Sequence, residues 1–118
     1  MDPIPPLDRA TMLARLDGDV ELLEEVVKLF TAEAPVLVDA LRAALASRDS
    51  RAIVRAAHTL KSCMSQVGAD DAAAGALVIE KLGTRCRVDE AASHFAALEA
   101  RVAAVLAVLP GFCGIEAA

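Results

Sequence analysis

Among the residues able to do chemistry, His58, Lys61 and Ser62 crowd into a single stretch of the 118-residue chain, Ala57-His58-Thr59-Leu60-Lys61-Ser62. A free imidazole titrates near about 6.5, so its neutral form is available as a nucleophile at physiological pH. Residues three and four apart share a helix face. Lys61 and Ser62 would therefore set an ammonium and a small hydroxyl group beside the ring, with Arg55 supplying a second cation from the other side. Ser62 and Ser65 are low-relief ground that leaves the imidazole open to an incoming molecule. The second histidine, His94, neighbours Phe95 and lies roughly 100° off its own apolar seam, so it reads as a surface or flank residue without chemistry.

The element that must hold these groups is a helix over Asp49 to Val67. Ile53, Ala57, Leu60, Met64 and Val67 recur at spacings of four, three, four and three, a heptad-like seam that faces a core. At about 100° per residue, His58 falls roughly 140° from the seam centre and Ser62 about opposite it. Arg51, Arg55 and Ser65 flank the wet side. Asp49 or Ser50 caps the helix start, and Gly68 suits the position just past its end.

A solvated histidine with Lys61 at plus three, small Ser62 at plus four and Gly68 at plus ten resembles the histidine-containing phosphotransfer (HPt) domain. That family's signature is His-x-x-Lys-Gly with a further glycine about ten residues after the histidine. The resemblance extends from about Leu7 to Leu109, because the order and lengths of the helices fit as well. Ser62 departs from the usual glycine, and its hydroxyl is placed to donate to a phosphoryl oxygen. The resemblance implies that His58 takes a phosphoryl group from an aspartate of one receiver domain and passes it to another. The partners would be the receiver domains of a hybrid sensor histidine kinase and of a response regulator. It also implies no cofactor of the chain's own, since magnesium would sit on the receiver, and no nucleotide-dependent catalysis. The residue types suit that chemistry. Imidazole attacks phosphorus and holds the group as a phosphoramidate, while alignment and charge compensation, here from Lys61 and Arg55, supply most of what phosphoryl transfer requires. Family members commonly carry a Gln on the next helix that contacts the histidine. The matching place here is near Glu80, whose carboxylate would accept the ring N–H but repel a bound phosphoryl group.

Composition agrees with a single helical domain. Hydrophobic residues make up 56% of the chain, much of it alanine, and aromatics only 3%. Alanine and leucine favour helices that pack closely. A net charge of −5 with no basic stripe and few aromatics argues against nucleic-acid binding. Cys63, Cys86 and Cys113 form no close pair, which points to neither a disulfide framework nor a zinc motif. The start, Met-Asp-Pro-Ile-Pro-Pro, lacks a basic region and an apolar core and is not expected to be a signal peptide. The apolar run Val102 to Leu109 is too short to span a bilayer. A cytoplasmic monomer with no membrane contact and no metal is the expectation.

The expected fold is all-α, an antiparallel up-and-down four-helix bundle with a short extra N-terminal helix. An irregular lead-in over 1–6 precedes the bundle over 7–109, and a tail covers 110–118. The first short helix spans Leu7 to Leu16, and Asp17-Gly18-Asp19 breaks the chain, with Asp19 as N-cap. A long helix over Val20 to Ala46 has the seam Leu23, Val27, Phe30, Ala34, Leu37, Leu41 and Leu45, with a kink or short break expected at Pro35. It carries a second apolar row, Leu22, Val26 and Leu29, which the first helix is expected to cover; any part left open would be a docking patch. After Gly68, Asp70 caps a helix over Asp71 to Leu82 that Gly83 stops. Asp89 caps a final helix to Leu109, with Ala91, Phe95, Leu98, Val102, Val105 and Leu109 inward, and Pro110-Gly111 ends it.

Two other readings stand beside the carrier. A non-catalytic helical adaptor would bind a partner through the Leu22-Val26-Leu29 row and leave His58 incidental. A bundle metalloenzyme would use Glu-x-x-His pairs, but Arg55 and Ala91 occupy the places three before His58 and His94. A kinase dimerisation helix usually has an acidic residue after its histidine and a nearby proline. Thr59 follows His58 here, and the next proline is Pro110.

Overall fold

The computed structural model describes residues 7–114, so the lead-in over 1–6 and the last four residues of the tail lie outside the described residues. Six helices follow one another: α1 (Arg9–Arg15), α2 (Val20–Ser47), α3 (Ser50–Val67), α4 (Asp70–Thr84), α5 (Val88–Ser93) and α6 (Phe95–Gly114). The described chain is all-α, in keeping with a helical HPt fold. The four long helices touch in a ring, α2 on α3, α3 on α4, α4 on α6 and α6 on α2, and α1 lies across α2.

The core sits inside that ring. All five residues of the α3 seam are buried, Ile53, Ala57, Leu60 and Met64 completely. Helix α2 contributes Leu23, Val27, Phe30, Ala34 and Leu41, and α6 contributes Leu98, Val102, Val105 and Leu109. Polar caps start the first three helices, as their sequences require. Asp8, Asp19 and Asp49 each accept backbone N–H groups of the first turn, from Thr11, from Leu22, and from Arg51 and Ala52 respectively.

Several boundaries differ from the sequence reading. Helix α2 runs unbroken through Pro35, so no break occurs there. Beyond the proline Val38 takes the inward place expected of Leu37, which is only half-buried. At about 100° per residue the two positions lie similarly far from the centre of the buried stripe, so packing rather than periodicity chooses between them, and the stripe resumes at Leu41 and Leu45. Asp70 is the first residue of α4 rather than its cap; Ala69 precedes it without a side-chain cap. Gly83 does not stop that helix. It is buried inside the last turn, where an added Cβ would lie 3.0 Å from Ile53 Cγ2 and 3.1 Å from Val54 Cγ2. It is a packing glycine, and α4 runs on to Thr84.

The final helix is interrupted at His94, and Asp89 stands inside the first turn of α5, with Arg87 before it. Pro110 does not end α6, which continues to Gly114 and buries Phe112. The carbonyl of Phe112 accepts from Arg9 Nε at 3.0 Å, joining α6 to α1. Taken together, Val88–Cys113 is long and apolar enough to cross a membrane by length and composition, which the run Val102 to Leu109 alone is not. Its hydropathy has a plain source: a seam of Leu, Val and Ala buried against α2 and α4, and an outer face built mostly of alanine.

Candidate functional site

Capping and packing fix the orientation of α3, and the orientation fixes His58. Asp49 holds the helix start. Gly68, with φ +84°, closes its end in the left-handed conformation that glycine adopts without strain. The exposed carbonyl of Ser65 accepts from Arg15 Nη1 at 3.1 Å, so α1 ties down the same end. With the seam buried, His58 emerges on the opposite side, its side chain 58% exposed. Its ring leans toward α4.

There it meets Glu80. His58 Nδ1 lies 2.9 Å from Glu80 Oε2, and Lys61 Nζ donates to Glu80 Oε1 at 2.9 Å. One carboxylate therefore bridges the imidazole and the ammonium. Glu80 is 18% exposed, and burial by itself disfavours its charge. Hydrogen bonds from Lys61 and then His58, with the charges on those groups, outweigh burial and hold the carboxyl below the usual range. An ionised carboxylate only accepts hydrogen bonds, so Nδ1 must carry the ring proton. In the neutral ring this leaves Nε2 as the bare nitrogen, the one with a lone pair to offer.

The remaining candidates divide into those gathered at the ring and those set apart. Lys61 is half-buried and engaged by Glu80, so in this state its ammonium is directed at α4 rather than at open space above Nε2. Arg55 is exposed one turn before His58 and makes no ion pair among the described residues; its carbonyl accepts from the Thr59 hydroxyl at 2.9 Å. Ser65 and Gly68 mark the helix end as described. Ser62 is not the most outward point of α3, as the wheel suggests, but half-buried. It borders a groove between α2 and α3 that Val36, Leu37, Thr59 and Gln66 also line.

That groove continues toward α1 past Glu33 and Cys63 into a cleft of about 280 Å³ floored by Phe30 and Val67. Helix α1 covers less of the second α2 row than expected. Its Met12 and Leu16 reach the cleft and leave Val26 half-buried, but Leu22 stays 44% and Leu29 58% exposed. A seven-residue helix is too short to cover the whole row. Val36, 65% exposed, extends the open row to Leu22, Leu29 and Val36. The sequence reading missed Val36 even though the signal was present: these three recur every seven residues, which keeps them on one face.

Burial, and secondarily the charge of Glu33, push the Cys63 thiol up, so it is a protonated part of the groove wall. Away from this site, Arg42 pairs with Asp39 within α2 and joins α2 to α6 through Glu99 and the Phe95 ring, whose centroid lies 5.3 Å from its guanidinium carbon. His94, at the α5–α6 break, is exposed.

A helical chain presenting a solvated histidine with a cation one turn later is the arrangement of a histidine phosphotransfer module, and a family model for the Hpt domain matches residues 25–108, more than half of the chain. The chain belongs to the Hpt domain family, whose members carry phosphoryl groups on histidine in two-component phosphorelays and interact there with receiver domains. No curated protein matches the chain, and no solved structure does.

Proposed function

We propose that His58 is the phosphorylated residue and that the chain is a phosphorelay carrier between two receiver domains, one of a hybrid sensor histidine kinase and one of a response regulator. The observation that carries this reading is the 2.9 Å contact between His58 Nδ1 and Glu80 Oε2 on an imidazole otherwise open to solvent. It turns an exposed histidine into an oriented nucleophile with Nε2 outward.

In the reaction, the Nε2 lone pair attacks phosphorus of the receiver's aspartyl phosphate. The P–O bond breaks with its electrons returning to the aspartate, and an N–P bond forms. Nδ1 keeps its proton, so positive charge grows on the ring where Glu80 faces it, much as a buried carboxylate steadies a catalytic imidazolium elsewhere. Lys61 can pivot from Glu80 toward the arriving oxygens, and Arg55 adds positive field from the previous turn. The Ser62 hydroxyl borders the approach. Magnesium belongs to the receiver, and this chain brings no cofactor of its own.

Docking is assigned to the groove beside the histidine. Exposed Leu29 and Val36 edge the two adjoining hollows, Thr59 and Ser62 line the one with Val36, and Ser65 is exposed at the end of the same helix. The chain acts as a monomer in the cytoplasm in this reading. The test is label transfer from a phosphorylated receiver to wild type and to His58→Gln. Acid-labile, alkali-stable label on wild type alone supports the carrier. Label retained by His58→Gln moves the site elsewhere, and no label from a broad set of receivers favours a non-catalytic adaptor using the same groove.

A further inference from the structure

Glu80 faces the nitrogen of His58 that does not take the phosphoryl group, and that position has a consequence once the other nitrogen is occupied. A ring phosphorylated at Nε2 exists in two forms. With a proton on Nδ1 it is a cation; without one, Nδ1 carries a bare lone pair. An ionised carboxylate at 2.9 Å fits only the first form, because two acceptors facing each other with no hydrogen between them repel. An amide in the same place would fit both, presenting its oxygen to an N–H or its NH₂ to a lone pair.

The two forms differ in what happens when the N–P bond breaks. From the protonated form the electron pair returns to Nε2 and neutral imidazole leaves, with its proton still on Nδ1. From the deprotonated form the departing group would be an imidazolate, a far poorer leaving group. We propose that Glu80 acts as a positioning residue that keeps the proton on Nδ1 of phosphorylated His58, and so makes this chain a fast donor with a short-lived phosphoryl group. This rests on the reading of His58 as the carrier.

Glu80 on α4 meets the ring at Nδ1 and holds Lys61 on its other oxygen, and Arg55 is exposed one turn earlier on α3; Glu33 on α2 lines the neighbouring groove with Ser62 and Cys63 rather than the ring itself. Of these only Glu80 touches Nδ1. Lys61, drawn to the phosphoryl oxygens, would release Oε1 and leave the carboxylate's charge for the ring.

The experiment uses phosphoramidate, a small reagent whose own N–P bond breaks with loss of ammonia, so that no receiver is required. Wild type, Glu80→Gln, Glu80→Ala and His58→Gln are treated with it, and loss of the phosphoryl group is followed by phosphorus NMR from pH 5 to 9. At pH 8 the wild type should lose the group about tenfold faster than Glu80→Gln or Glu80→Ala, the factor that one unit of displacement along the pH axis corresponds to. The three profiles should converge toward pH 5, where solvent supplies the proton that Glu80 otherwise holds in place. A merely structural role for Glu80 would not produce a difference that grows with pH. Coincident profiles, or faster loss from the Glu80 variants at pH 8, would overturn the proposal. Equal labelling of His58→Gln would instead overturn the carrier reading beneath it, and that outcome is read separately.

Discussion

Gly83 lies against Ile53 so closely that an added Cβ would stand 3.0 Å from Ile53 Cγ2. The missing side chain brings the last turn of α4 down onto α3, and Glu80, three residues earlier, thereby comes within hydrogen-bond reach of His58. Packing deep in the α3–α4 contact and the geometry of the exposed imidazole are one relationship seen at two ends.

Gly83→Ala should therefore destabilise the fold despite the better helix propensity of alanine. Propensity favours alanine by about 1 kcal/mol. Overpacking costs about 1–3 kcal/mol, and neither Ile53 nor Val54, both stiff at χ1, can turn away cheaply. A net loss of roughly 1 kcal/mol in urea unfolding is expected, together with slower phosphoryl uptake because Glu80 is lifted from the ring. Unchanged stability would mean that α4 can retreat without cost.

Acid should weaken the Glu80 bridge in a defined direction. Its carboxyl is held below the usual range in the folded protein, with burial opposing and the bonds from Lys61 and His58 prevailing. Its contribution to stability is thus complete above the ordinary carboxylate value near about 4.3 and is lost as pH falls from there through the lowered folded value. In Tm measurements from pH 3 to 7, wild type should exceed Glu80→Gln most at pH 6–7, and the gap should close toward pH 3. A gap that widens in acid would contradict the sign of the shift.

Charge placed on the groove rim should separate docking from chemistry. Leu29→Asp and Val36→Asp change side chains that are 58% and 65% exposed, so the fold should hold to within about 0.5 kcal/mol. Receiver-dependent phosphorylation should slow about tenfold or more, which corresponds to loss of roughly 1.4 kcal/mol of binding, while labelling by phosphoramidate stays at the wild-type rate. Equal slowing with both donors would place the effect at His58 rather than at docking.

Thiol reactivity should rank by exposure. Cys86 lies on the surface at the end of α4, whereas Cys63 is half-buried in the groove and its thiol is pushed up by burial and by Glu33. Since the thiolate is the reactive form, a maleimide at pH 7 should label Cys86 first and Cys63 slowly. Receiver binding should slow Cys63 further if the groove is the docking site. Labelling of Cys63 as fast as Cys86 would mean that the groove opens readily.

The amino-acid pattern alone settled the inward face of α3, all five seam residues of which are buried, and the cap Asp19; between Asp49 and Ser50 as the α3 cap it left a choice that the structure makes for Asp49. It also set His58 in water, because periodic burial of one helix face forces the opposite face outward, and that logic is local. Helix ends were less legible. Pro35, Gly83 and Pro110 look like stops, but each lies inside a helix that tertiary packing carries past it. Local propensity is worth about a kilocalorie for glycine and a few for proline, less than a buried seam of leucines and valines contributes.

The exposure of Leu22, Leu29 and Val36 depended on how far α1 reaches, which no single segment encodes. The bridge from His58 through Glu80 to Lys61 depended on α4 settling against α3. The chain supplied the three side chains, but Glu80 lies 22 residues beyond His58, and only the packing of one helix on another could decide that its carboxylate meets Nδ1.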